Sequence, residues 1–88
     1  MNSDFWKDRR VFLTGHTGFK GSWMALWLQD LGAKVTGYSL APNTEPALFN
    51  VADVASGMTS VIGDIRDADA LASAMAAAKP EVVIHMAA

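Results

Sequence analysis

The chain has 88 residues, 51% of them hydrophobic and 18% charged, a formal net charge of −2 and no cysteine. That leaves room for one small domain, braced neither by disulfides nor by thiolate metal sites. Seven basic against nine acidic side chains, with no basic run, speak against nucleic-acid or anionic-membrane partners.

The first eight residues hold acidic groups and no apolar signal core, and no stretch approaches the roughly 18–20 consecutive apolar residues of a membrane span. A soluble, cytoplasmic protein is expected.

Arg10–Thr14 is a short apolar run, β-branched and aromatic, that ends in Gly15-His-Thr-Gly-Phe-Lys-Gly21. It reads as a buried strand feeding a turn. From Ser22 to Leu31, Trp23, Leu26, Trp27 and Leu31 recur at helical spacing, and Gly32 stands where a left-handed cap is expected. This spacing makes Trp23 and Trp27 core-facing. Lys34–Ser39 reads as a second strand. Leu40–Ala52, with Pro42, Asn43 and Pro46, reads as irregular connection, followed by a single helical turn at Asp53–Ser56.

Met58–Ile62 gives a third strand that stops at Gly63-Asp64. Asp67 suits an N-cap, Asp69 favours the positive end of a helix dipole, alanines fill 68–78, and Pro80 ends the helix. Glu81–Met86 is a fourth, nearly continuous apolar strand of the kind that parallel sheets bury on both faces. Met24, Met58, Met75 and Met86 read as gap-filling core, and Trp6 as cover for a sheet edge.

This alternation specifies right-handed βαβ crossovers, hence an α/β fold with a Rossmann-type parallel sheet and helices on both faces. A strand as apolar as the fourth expects neighbours on both sides. Residues 1–88 are therefore expected to be the N-terminal portion of a larger dinucleotide-binding domain.

Gly15, Gly18 and Gly21 form a G-x-x-G-x-x-G pattern between a strand and a helix. In that context one glycine makes the tight turn, one lets backbone approach a pyrophosphate and one lets helix and strand pack closely. The helix N-terminus adds unpaired N–H groups, and Lys20 adds a charge. Asp64-Ile65 follows the third strand at the ligand-binding edge. Its carboxylate can accept from an adenine amino group with Ile65 against the ring, or can simply cap the turn. His16 is read as shaping the glycine loop and His85 as a hydrogen-bonded core histidine. Neither has a metal-ligand partner at useful spacing. The acidic residue that usually recognises the NAD ribose is absent; Ser39 stands near its place, and no arginine is nearby for a 2′-phosphate.

Thr14-Gly-His-Thr-Gly-Phe-Lys-Gly-Ser-Trp23, Gly63-Asp-Ile-Arg-Asp67 and Lys79-Pro-Glu-Val-Val-Ile-His-Met-Ala-Ala88 resemble the start of the extended short-chain dehydrogenase/reductases. Within them the glycine loop is similar to that of the CDP-glucose 4,6-dehydratases, and Pro46-Ala-Leu-Phe49 fits the same pattern. The resemblance implies NAD as cofactor and a nucleotide-sugar substrate. It implies a reaction that oxidises C4 of the hexose, eliminates water across C5–C6 and returns the hydride to C6.

By position it places Gly15, Thr17, Gly18, Phe19 and Lys20 in the pyrophosphate loop, Ser39 at the adenosine ribose and Asp64 and Ile65 at adenine. Met86, Ala87 and Ala88 fall on the nicotinamide side. The Tyr-x-x-x-Lys pair and the elimination residues of that family lie further along; the one tyrosine here is Tyr38. No catalytic residue is therefore expected within these 88 residues, and a homodimer is expected of the parent enzyme. A 4-epimerase of the same family, or a non-catalytic nucleotide-binding module, would share the glycine loop.

Overall fold

The computed structural model describes residues 3–40 and 57–86. In chain order these give α1 (Ser3–Trp6), β1 (Arg10–Thr14), α2 (Phe19–Asp30), β2 (Lys34–Ser39), β3 (Thr59–Ile62), α3 (Ala68–Ala78) and β4 (Val82–His85). The expected connection at 40–52 and the turn at 53–56 lie outside the described residues, apart from Leu40.

The strands form one four-stranded sheet in the order β3-β2-β1-β4, and every pairing is parallel. The crossover from β1 to β2 runs one way across the sheet and that from β3 to β4 runs back. Right-handedness therefore puts α2 and α3 on opposite faces. The order reverses at β1, so the crevice between β1 and β4 at the carboxyl ends is the switch point at which such sheets bind ligands.

Register sorts the two faces. Val11 lies beside Val35 and Val82, and Leu13 beside Gly37 and Ile84. Val11, Leu13 and Val35 make the main core with Ala25 and Leu28 of α2 and with Ala33. Trp6, Met24, Met58 and Met86 pack against this cluster. The other face carries Phe12 and Tyr38, fully buried and stacked with ring centroids 6.2 Å apart.

Helix ends follow their local chemistry. Asp67 accepts from the Ala70 amide at 3.1 Å, and Lys79 closes α3 in a left-handed conformation with φ 47°. Gly32 takes φ 87° directly after α2, as a left-handed cap requires.

Two packing expectations are corrected. Trp23 and Trp27 are 55% and 49% exposed; the face that α2 turns to the sheet is Gly21, Ser22, Ala25 and Leu28. A Cβ at Gly21 would run into the carbonyl of Gly15. The helix therefore starts so close to β1 that small residues fill the contact and the indoles turn outward. β4 is half-buried on one face and exposed on the other. Its described pairing is with β1 alone, and Val83 is half-exposed because α3 lies over β1 and β2 rather than over β4.

Candidate functional site: the glycine loop at the carboxyl edge

The loop between β1 and α2 is built from three glycines with three different needs. Gly15 has φ 81°, a left-handed conformation that glycine adopts without strain, and its amide donates to the Tyr38 carbonyl at 3.1 Å. Gly21 is required by the backbone contact with Gly15 described above. Gly18 is different. Its φ of −77° suits any residue, and among the described residues an added Cβ would meet only the Gly15 carbonyl oxygen, at 3.6 Å. Neither strain nor packing among the described residues demands glycine there, so as far as those residues go the space beside Gly18 is open for something else to approach the backbone.

Gly18 is also the N-cap of α2 and supplies no side-chain acceptor. The first amides of the helix, from Phe19 to Gly21, therefore lack intrahelical partners and face the positive end of the dipole outward. Phe19 and Lys20 are exposed beside them. An open backbone approach next to uncapped amides and a lysine is an anion cradle, and it fits a pyrophosphate.

Side chains lock the loop from behind. Ser22 Oγ donates to the His16 carbonyl at 2.7 Å. His16 is fully buried, and its Nε2 lies 2.7 Å from Ser60 Oγ of β3. Burial lowers its pKa to about 4, so the ring stays neutral and shapes the loop without titrating near neutral pH. Thr17 Oγ1 donates to the Leu40 carbonyl at 2.7 Å and lies 2.9 Å from Ser39 Oγ, which ties the loop to the end of β2.

Along the same edge, Asp64 follows β3. Arg66 holds its carboxylate with the guanidinium, Nη2 to Oδ2 at 2.6 Å, and with the backbone amide to Oδ1 at 2.9 Å. These hydrogen bonds keep the Asp64 carboxyl down at about 2. The turn-capping geometry is thus present, and Ile65 beside it is half-buried. Tyr38 Oη donates to the Asp64 carbonyl at 3.0 Å and packs on Gly63. Burial raises the phenol's pKa, with Asp67 and Asp64 adding to the effect.

At the switch point, the Met86 amide is shared between the carbonyl and the hydroxyl of Thr14, both at 3.1 Å, and the same hydroxyl meets His85 Nδ1 at 2.7 Å. His85 is hydrogen-bonded, as expected, but it stands exposed on the uncovered side of β4 and not in the core. Ala87 and Ala88 lie outside the described residues.

Gly15, Thr17, Gly18, Phe19, Lys20 and Ser39 are thus neighbours around one loop, while Asp64-Ile65 and Met86 lie at the ends of β3 and β4 on the same edge. Lys20 and Met86 also line a groove of about 670 Å3 with Trp23, Met24, Trp27 and Asp30. Sequence reading missed three partners: Arg66, which an Asp-x-Arg turn could have signalled; Ser60, the partner of His16; and Thr14, whose hydroxyl clasps β4. Strand residues that speak across 40 or 70 positions leave no local pattern.

Residues 11–88 match the family model of the NAD dependent epimerase/dehydratase family. The chain belongs to that family. Over all 88 residues it is 52% identical to the CDP-glucose 4,6-dehydratase of Salmonella typhimurium, of which it covers 24%.

Among solved structures it superposes on the Bordetella bronchiseptica enzyme WbmH in complex with NAD+ with a TM-score of 0.73. There the identity is 30%, over 91% of this chain and 26% of that one. The UDP-glucose-4-epimerase of Stenotrophomonas maltophila, with bound NAD, gives a TM-score of 0.76 at 27% identity, over 91% of this chain and 24% of that one. The chain spans about a quarter of the length of these relatives. The expected Rossmann-type fold and the expected cofactor, NAD, agree with the family and with these NAD-bound folds.

No helix among the described residues is long and apolar enough to cross a membrane, and those residues hold no cluster of metal-ligating side chains.

Proposed function

We propose that this chain is the cofactor-binding N-terminal portion of a nucleotide-sugar 4,6-dehydratase that converts CDP-glucose to CDP-4-keto-6-deoxyglucose and water. The observation that carries the dinucleotide reading is Gly18, open toward an uncapped helix N-terminus in a loop whose other two glycines are consumed by turn and packing. The choice of a CDP-glucose dehydratase leans on the 52% identity along the whole chain to a protein of that name.

Bound NAD would supply a hydride acceptor for C4 of the hexose and a donor for C6, so that cofactor is regenerated within each turnover. The residues of this chain bind and orient. The amides of Phe19 to Gly21, with Lys20, hold the pyrophosphate; Gly15 and Thr17 set the loop. Ser39 faces the adenosine ribose, Asp64 and Ile65 take the adenine, and Met86, Ala87 and Ala88 border the nicotinamide side. The Arg66 pairing of Asp64 leaves the carboxylate ionised and able to accept from an amino group. None of the 88 residues is assigned an acid, base or hydride-transfer role, and the sugar pocket and any homodimer contact belong to the rest of the parent protein.

The UDP-glucose-4-epimerase with the same fold supports the second reading, a 4-epimerase, because the glycine loop serves both reactions. Incubating the full-length protein with NAD and CDP-glucose separates them by product. A 4-keto-6-deoxy sugar nucleotide one water lighter than the substrate supports the dehydratase. A product of unchanged mass with inverted C4 replaces it with the epimerase, and no turnover with tight NAD binding leaves a nucleotide-binding module.

A further inference from the structure

Dinucleotide folds that select NAD usually place a carboxylate at the end of the second strand, where it accepts from the ribose 2′-hydroxyl and repels a 2′-phosphate. Here that position holds Ser39, whose hydroxyl can in principle donate or accept. The hydrogen-bond chain around it removes the ambiguity. Thr17 Oγ1 has one proton, and the Leu40 carbonyl oxygen, 2.7 Å away, can only accept it. In its 2.9 Å contact with Ser39 Oγ, Thr17 must therefore accept, and Ser39 must donate. Both residues are only 8% exposed, so water offers little alternative.

We infer that Thr17, by drawing the Ser39 proton inward, leaves Ser39 acceptor-only toward a bound dinucleotide and so makes a neutral hydroxyl select NAD over NADP. The inference rests on the dinucleotide-binding reading above and deepens it. A ribose 2′-hydroxyl brings a donor and is satisfied by the Ser39 lone pairs. A 2′-phosphate brings only acceptors and negative charge, and meets lone pairs with no proton between them. Thr17 is then a positioning residue that acts through Ser39, and the Ser39 oxygen is the group that discriminates.

The test is the ratio of NADP to NAD dissociation constants, measured by calorimetric titration of the full-length protein stripped of nucleotide. The wild type should prefer NAD by roughly tenfold or more. Thr17→Val keeps the shape but cannot accept, which frees the Ser39 proton to turn toward a phosphate. The ratio should fall by about tenfold, chiefly because NADP tightens, and Thr17→Ser should restore it. Ser39→Ala removes the acceptor altogether and should bring the two constants together by weakening NAD; it carries the test if Thr17→Val does not fold.

A loop-fastening role alone would weaken both nucleotides equally and leave the ratio unmoved in either variant, which overturns the inference. So does a wild type without preference for NAD, or a ratio that falls as far in Thr17→Ser as in Thr17→Val. A wild type that binds neither nucleotide brings down the dinucleotide reading itself, and this inference with it.

Discussion

The two βα units of the sheet are held together by different means. β1, α2 and β2 are welded by burial: Val11, Phe12, Leu13, Ala25, Leu28, Val35 and Tyr38 are all nearly inaccessible, and the helix begins in backbone contact with the loop that leaves β1. β3, α3 and β4 bury little. α3 has no buried residue, and its integrity comes from alanine propensity, the Asp67 cap and the Lys79 turn. Their common sheet joins the units, and Arg9 and Arg10 clamp Glu81 at the amino-terminal edge with contacts of 3.0 and 3.5 Å. The candidate site sits on the welded unit. The proposed phosphate cradle needs a backbone that cannot give, whereas on the same proposal the second unit has only to bring Asp64 and Met86 to the same edge.

The largest expected effects test that weld. Gly21→Ala drives a methyl into the Gly15 carbonyl and should cost roughly 3 kcal/mol or more in urea unfolding, with loss of nucleotide binding as a by-product. Gly18→Ala, three residues away, should leave stability within about 1 kcal/mol because φ and space both permit it. Its NAD affinity should nevertheless fall by tenfold or more. If both variants lose stability together, Gly18 is packing and not cradle.

The second effect concerns the histidine beneath the loop. The unfolded imidazole titrates near 6.5 and the folded one at about 4. Between those values the unfolded chain binds the proton and the native one does not. Stability is therefore fully present above about pH 6.5, is lost as the pH falls toward 4, and levels off below that, by at most about 3 kcal/mol. Asp64 acts in a lower window. Its carboxyl is depressed from 3.8 to about 2, so its contribution is present above the unfolded value and disappears as the pH falls toward 2. Unfolding measured from pH 7 to 4 in wild type and His16→Gln should show the slope in the first and its loss in the second; equal slopes would place the sensitive group elsewhere.

What the sequence made legible follows the same division. Strand and helix order, the Gly32 and Asp67 caps and the three glycines were readable because each is a local signal of backbone geometry. The indoles of Trp23 and Trp27 were misplaced because helical spacing defines a face without saying which way it turns; the Gly21 contact decides that, and it depends on the third dimension. β4 was expected to be covered twice because its composition is that of a central strand, yet its neighbour among the described residues is β1 alone. The Thr17–Ser39 and Thr14–His85 pairs were equally invisible, since hydroxyls announce nothing about their partners until the strands are laid side by side.

The smallest effects belong to the loosely packed unit. Asp67→Ala removes the acceptor for the Ala70 amide and should cost about 1 kcal/mol, read as a small shift of the unfolding midpoint. Lys79→Gly should act in the opposite sense. Lys79 sits at φ 47° with its amide donating to the Met75 carbonyl at 3.0 Å, a geometry that glycine adopts without the Cβ penalty, so a gain of up to about 1 kcal/mol is expected. Arg10 reaches α3 through the Lys79 backbone carbonyl and not the side chain, so that link survives the change. If α3 is held by its ends, the two effects should add in the double variant and cancel to within a few tenths of a kcal/mol. Should neither substitution move the midpoint, α3 is held by its contacts with β1 and β2, and the two units differ less than their burial suggests.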